Sequence, residues 1–234
     1  MRDDNPRSGL PVVTIALIAV NTLVHVYQSL LSAPRAALFV RAAGAIPLEI
    51  TTLTDIVRFP DQPPALLPIP LTIITAMFVH GGWMHLIGNM WYLWLFGDNV
   101  EDSMGRWRFL LFYVLTGLVA SGVQIASDPT SIVPTVGASG AIAGVLGGYL
   151  LQFPRARVHT LLVIFIFIQV IHVPAMVILG LWFVLQVVQG LMQGNLGGVA
   201  WFAHIGGFVA GMLLIKLFVR RPRVPRDPPS GTWN

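Results

Sequence analysis

Apolar residues run along this 234-residue chain in long blocks, without the alternation of a half-buried strand or the narrow stripe of a soluble amphipathic helix. Six blocks, at about 11–31, 83–101, 107–127, 139–153, 174–192 and 200–218, come near the roughly 20 residues a helix needs to cross a hydrocarbon core. The pattern predicts an all-α membrane protein, a bundle of six crossing helices. A seventh apolar run, 158–173, is rich in Ile, Val and Phe and stops at Pro174. It reads as an interfacial or packed connection. The residue before a proline is steered out of the helical region while the proline suits a first turn, so a new helix is expected at Pro174. The first block exceeds the roughly 7–15 residues of a secretory h-region and is followed by more spans, so it reads as a retained helix.

The segment between the first two blocks, from Ser32 to about Gly82, is too long for a simple connector. Its apolar stretches, Ala36–Ile50 and Leu71–Val79, flank a Pro-rich break (PDQPPALLPIP) and predict short elements lying in the membrane interface. The chain thus divides into a short N-terminal segment (1–10), a six-helix membrane domain (11–218) and a basic, Pro-rich tail (219–234) expected to be disordered.

Composition supports the membrane reading: 55% of residues are apolar and 10% charged, against about 25% charged in an average soluble domain. Mean hydropathy is +0.75. The excess of basic residues then reports topology. Placing the N-terminus, the loops near 102–108 and 154–159 and the C-terminus on one side gathers eleven of the fourteen Lys and Arg residues there, leaving only Arg35, Arg41 and Arg58 in the long first loop. The positive-inside rule makes that side, and both termini, cytoplasmic. Lys and Arg do not interleave with aromatics as single-strand nucleic-acid binding requires, so no nucleic-acid partner is expected. With no cysteine, disulfides, thiolate catalysis and Cys-ligated zinc are excluded.

Polar groups inside a span are costly, and three stretches carry them. HGGWMHLIGN opens the second block with His80, His85 and Asn89; GASGAIAG opens the fourth with Ser139; AHIGGFVAG places His204 near the start of the sixth. Counted from the inner helix ends near Glu101, Pro154 and Phe218, Asn89 lies 12 residues up, His85 16, Ser139 15 and His204 14. At about 1.5 Å per residue these become heights of about 18 to 24 Å in a core of roughly 30 Å. All four share the outer half. Gly140, Gly144 and Gly148 form a small-residue stripe on the fourth helix, and Ala203, Gly207 and Gly211 form one on the sixth. Stripes of this kind let membrane helices approach closely; if the two face each other, Ser139 and His204 come within reach.

Such a pair carries recognisable chemistry. A serine hydroxyl becomes a useful nucleophile when a neutral imidazole takes its proton. No Asp or Glu is expected at the same depth, so the pair would act as a dyad. The oxyanion formed on an amide needs donors, and His85, Asn89 and the backbone N–H of Ser139 at a helix start are candidates. Each residue also has a structural reading. A transmembrane serine commonly bonds back to its own helix, and a histidine in a span can join two helices. His85 and Asn89 could be wetted by the first loop, as His80 is expected to be. Asn21 and His25 read as a packing or interface pair, and His159 and His172 as wet surface positions.

Taken together and in this order, HGGWMHLIGN, GASGAIAG and AHIGGFVAG resemble the rhomboid intramembrane serine proteases, over about 85–215. GDNVEDSMG, with Glu101 and Gly105 four apart, is also similar to that family's pattern. The resemblance implies Ser139 as nucleophile, His204 as base, and His85, Asn89 and the Ser139 backbone as the oxyanion site. Gly137 would shape the turn before the nucleophile, and Gly140 would shape the site beside it. It further implies transmembrane-protein substrates admitted past the fifth helix, a Gly-rich cap loop at about 191–199, and no cofactor or metal. Where some members place an aromatic ring to stack on the histidine, this chain has Ala143.

Two other readings compete: an inactive rhomboid-like protein that binds transmembrane helices, and a small transporter or channel using the histidines as a proton path. The first would lack the serine or the histidine, and both are present. A zinc protease would want H-E-x-x-H or a comparable cluster with a carboxylate. An aspartyl enzyme would need two acids in the spans, and only Asp98 comes close. The compact unit and the absence of a transit-peptide pattern predict a prokaryotic plasma membrane.

Overall fold

The computed structural model describes residues 9–55, 67–164, 167–194 and 198–219. Residues 1–8, the 60–66 part of the Pro-rich break, residues 195–197 of the expected cap loop and the tail from 220 lie outside the described residues. The chain is mostly helical: α1 (Val12–Leu30), α2 (Ala33–Ala43), α3 (Pro47–Thr52), a 3-10 turn (Ile69–Leu71), α4 (Thr72–Ala76), α5 (Trp83–Met104), α6 (Arg106–Ser127), α7 (Ser139–Gln152), a hairpin of β1 (Arg157–Ile164) and β2 (Phe167–Pro174), α8 (Ala175–Gln193) and α9 (Trp201–Phe218). Four of these, α1, α6, α8 and α9, are long and apolar enough to cross a bilayer. Of the other two expected spans, α5 carries Asp98, Glu101 and Asp102 near its end, and α7 has only 14 residues.

The all-α expectation is corrected at the seventh apolar run. Residues 157–164 and 167–174 pair as antiparallel strands in which Val158 faces Val173 and His159 faces His172, the two imidazole rings 4.3 Å apart. Runs of Val, Ile, Phe and Thr suit a pleated surface better than a helix. Pro174 closes β2 and caps α8 from outside its first turn.

Packing centres on α7, whose residues from Gly140 to Tyr149 are all buried. A helix apolar all round belongs at the middle of a bundle, and α7 lies against α5, α6 and α9. Its two small-residue neighbours make the approach close. A Cβ at Gly207 would run into the carbonyl oxygen of Gly140, and one at Gly211 into that of Gly144. The two stripes therefore face each other.

Both ends of the bundle are tied by polar contacts. The buried carboxylate of Glu101, late on α5, accepts from the backbone N–H of Val13 (3.0 Å) and Thr14 (2.8 Å) and from Thr14 Oγ1 (2.9 Å). It thereby supplies acceptors to the otherwise unpaired amides that open α1. At the other end α2 to α4 form the short elements expected of the long first loop. Its backbone pairs with the segment leading into α7: Ala45 and Thr135 exchange two hydrogen bonds (3.0 and 2.8 Å), Leu48 N–H donates to Ser131 O (3.0 Å), and Gly137 N–H donates to Ala76 O (2.8 Å).

Candidate active site

A cavity of about 700 Å³ opens where the first loop, the 131–136 segment and the starts of α5, α7 and α9 converge, and Ser139, His204, His85 and Asn89 all line it. Gly137 and Gly140, expected to shape the site, flank Ser139 in the chain and are not among the residues that line the cavity. Ser139 Oγ and the His204 ring share the cavity but are not hydrogen-bonded to each other among the described residues; catalytic hydrogen bonds are often long before substrate arrives.

The turn that presents Ser139 depends on Gly137. Its φ of +125° is one that L side chains rarely adopt. A Cβ there would also lie 2.7 Å from Cε1 and 2.8 Å from Nε2 of His85. Conformation and space both require glycine. The chain then enters α7 directly at Ser139, so the serine N–H belongs to a first turn with no carbonyl four residues back to receive it.

His204 is held from two sides. Gln124, on α6, accepts from the backbone N–H of Ala203 at 3.2 Å and so fixes the first turn of α9. On α8 the buried Gln186 places Oε1 2.7 Å from His204 Nδ1. The amide orientation is consistent with this, because Gln186 Nε2 donates to Trp182 O at 3.3 Å. An oxygen facing Nδ1 requires the proton there, which leaves Nε2 with its lone pair. The aromatic neighbour missing at Ala143 comes from α8, where Trp182 lies 5.9 Å from the imidazole at an interplanar angle of 34°.

His85 is the opposite case. Its Nδ1 accepts from the backbone N–H of Gly81 at 3.4 Å, a long contact that places the ring proton on Nε2. That nitrogen is the one against Gly137, beside Ser139. Asn89, one turn along α5, is buried, and its Nδ2 has no partner. A buried amide donor without an acceptor is costly and stands ready for one that arrives. His80, expected to be wetted, is fully buried in the link between α4 and α5, packed edge-on against His85 (5.1 Å) and His25 (6.3 Å). Burial, then the rings of His85 and His25, hold its imidazole down at about 4. His25 and Asn21 are buried as well, so their interface reading gives way to a packed one.

Sequence reading missed Gln186 and Gln124. Gln186 lies on the single buried face of α8, Ala175, Leu179, Gln186 and Gly190, and that spacing was its available signal. Asp128 also reaches the cavity, with Oδ1 accepting from Thr130 Oγ1 at 3.2 Å.

A Rhomboid domain matches residues 70–221. RHOMBOID-like protein 4 of Arabidopsis thaliana is 35% identical over 150 residues, which are 64% of this chain and 34% of that protein. Rhomboid protease GluP of Bacillus subtilis (strain 168) is 37% identical over 142 residues, 61% of this chain and 25% of the relative. Rhomboid protein 1, mitochondrial, of Saccharomyces cerevisiae is 29% identical over 184 residues, 70% and 47%. The chain spans from a quarter to about half of the length of these relatives. With the domain match covering well over half of its residues, this membrane protein belongs to the rhomboid family.

Proposed function

We propose that the chain is an intramembrane serine endopeptidase that cuts within or near the transmembrane segment of membrane-protein substrates. The observation that carries this reading is the convergence on one cavity of a serine at a helix start, an imidazole with a free Nε2 lone pair, and two side-chain donors with open valences. Ser139 Oγ attacks the scissile carbonyl while His204 Nε2 takes the hydroxyl proton and passes it to the leaving amine. The oxyanion accepts from the Ser139 N–H, His85 Nε2–H and Asn89 Nδ2. Water, deprotonated by the same imidazole, then hydrolyses the acyl-enzyme and regenerates the serine.

Six crossings, made by α1 and α5 to α9, accompany this reading, with both termini on the cytoplasmic side on the strength of the Lys and Arg distribution. On that topology residues 1–10 and 219–234 flank the membrane domain as cytoplasmic segments. The relatives named above include a bacterial and a mitochondrial protein, so the expectation of a prokaryotic plasma membrane finds no support in them, and the reading stops at a membrane.

The test is cleavage of a single-pass reporter in liposomes together with labelling by a serine-directed phosphonate. Wild type should cleave and label, and Ser139→Ala should do neither while its thermal unfolding stays that of wild type. Full cleavage by Ser139→Ala would overturn the assignment; ion or solute flux unaffected by that substitution would replace it with transport.

A further inference from the structure

We propose that Gln186 is the positioning residue of the catalytic base, doing with a neutral amide what a carboxylate does in a three-residue serine protease site. The inference rests on the assignment of His204 as base and adds a third member to that site.

The geometry is specific. Gln186 is the polar member of the one face that α8 buries, and its Oε1 lies 2.7 Å from His204 Nδ1. Its own N–H is spent on Trp182 O, so the amide cannot turn over without losing both contacts. A neutral imidazole can carry its proton on either nitrogen, and only the Nδ1–H form leaves Nε2 able to accept from a serine. Without an acceptor at Nδ1 the ring is free to place the proton on Nε2, where it would face the nucleophile as a donor. Gln186 thus selects the tautomer and the ring plane together. A neutral acceptor also brings no buried charge into the bundle, where an unpaired carboxylate would be expensive.

Three measurements test this on the full-length protein in liposomes. In wild type carrying 15N-labelled histidine, the nitrogen shifts of neutral His204 should report Nδ1–H. An Nε2–H spectrum would overturn the proposal without any variant. Gln186→Leu should lower kcat about 10- to 100-fold with KM within about twofold, and should move the His204 signals toward Nε2–H; wild-type kcat in that variant would overturn it. Gln186→Glu keeps an oxygen at the same place and should restore kcat to within about fivefold of wild type, whereas a role in packing alone would leave both substitutions equally impaired. Ser139→Ala separates the two assignments. If it is inactive while Gln186→Leu is fully active, only the role of Gln186 fails; if it is active, the base assignment fails with it.

Discussion

His204 and His85 lie on the walls of one cavity and are arranged in opposite senses. At His204 a side-chain oxygen faces Nδ1, so the proton sits there and Nε2 is an acceptor; at His85 a backbone N–H faces Nδ1, so Nε2 is a donor. On the proposed function, the same imidazole would thereby serve as a base on α9 and as a hydrogen-bond donor on α5. What differs is the second atom each ring touches. The difference also extends to rigidity: Gln186 approaches to 2.7 Å, whereas Gly81 stands at 3.4 Å, and His85 is held instead by the His80 ring on one side and the Gly137 backbone on the other.

Breaking the His204 pole should cost most. His204→Phe keeps a ring in the space beside Trp182 but removes the base, and kcat for the single-pass reporter should fall by at least about 10⁴-fold. Removing a donor from the other pole is milder. Asn89→Ala should lower kcat by about 10² to 10³ with KM little changed, because its free Nδ2 meets an acceptor only when the oxyanion forms. If Asn89→Ala raised KM and spared kcat, the amide would be a substrate-binding group instead. Next in size comes Gly137→Ala, which forces a Cβ into the His85 ring at a φ suited to glycine. Displacing a ring and the adjoining turn by about 1 Å should cost on the order of 10² in kcat. Its thermal unfolding in detergent should also drop, since the strain belongs to the folded state; an unchanged Tm and kcat would mean that the turn relaxes freely.

The contrast between the two histidines was only half legible in the sequence. Ser139 at the start of α7, the facing stripes of α7 and α9, and the elements of the first loop follow from apolar blocks, small-residue spacing and helix-start chemistry, all of them local signals. What sets each tautomer is not local. Gln186 sits in the run LWFVLQVVQG beside a second amide, Gln189, and only the packing of α8 on α9 decides which of the two turns inward. Gly190, one turn beyond Gln186, marked the inner face, but a lone small residue is a weak marker without its neighbour helix. The hairpin was hidden for a related reason: a continuous apolar run has no periodicity, so strand and buried helix look alike until the fold-back pairs His159 with His172. A histidine near a helix start is usually wet, as expected of His80 from the sequence, whereas α1 supplies His25 to cover it.

His80 sets the finest test of how the His85 pole is held. If the ring acts on His85 by shape, as the edge-on contact at 5.1 Å implies, its nitrogens matter little, and at about 4 its imidazole is uncharged at neutral pH. His80→Phe should then keep kcat within about fivefold of wild type. It should also leave Tm unchanged or raise it, because replacing a buried polar ring by an apolar one of similar size relieves a desolvation cost. His80→Ala removes the wedge itself and should lower kcat more than the phenylalanine does. Equal losses in the two variants, with folding intact, would show that the nitrogens of His80, and not its shape, act on His85.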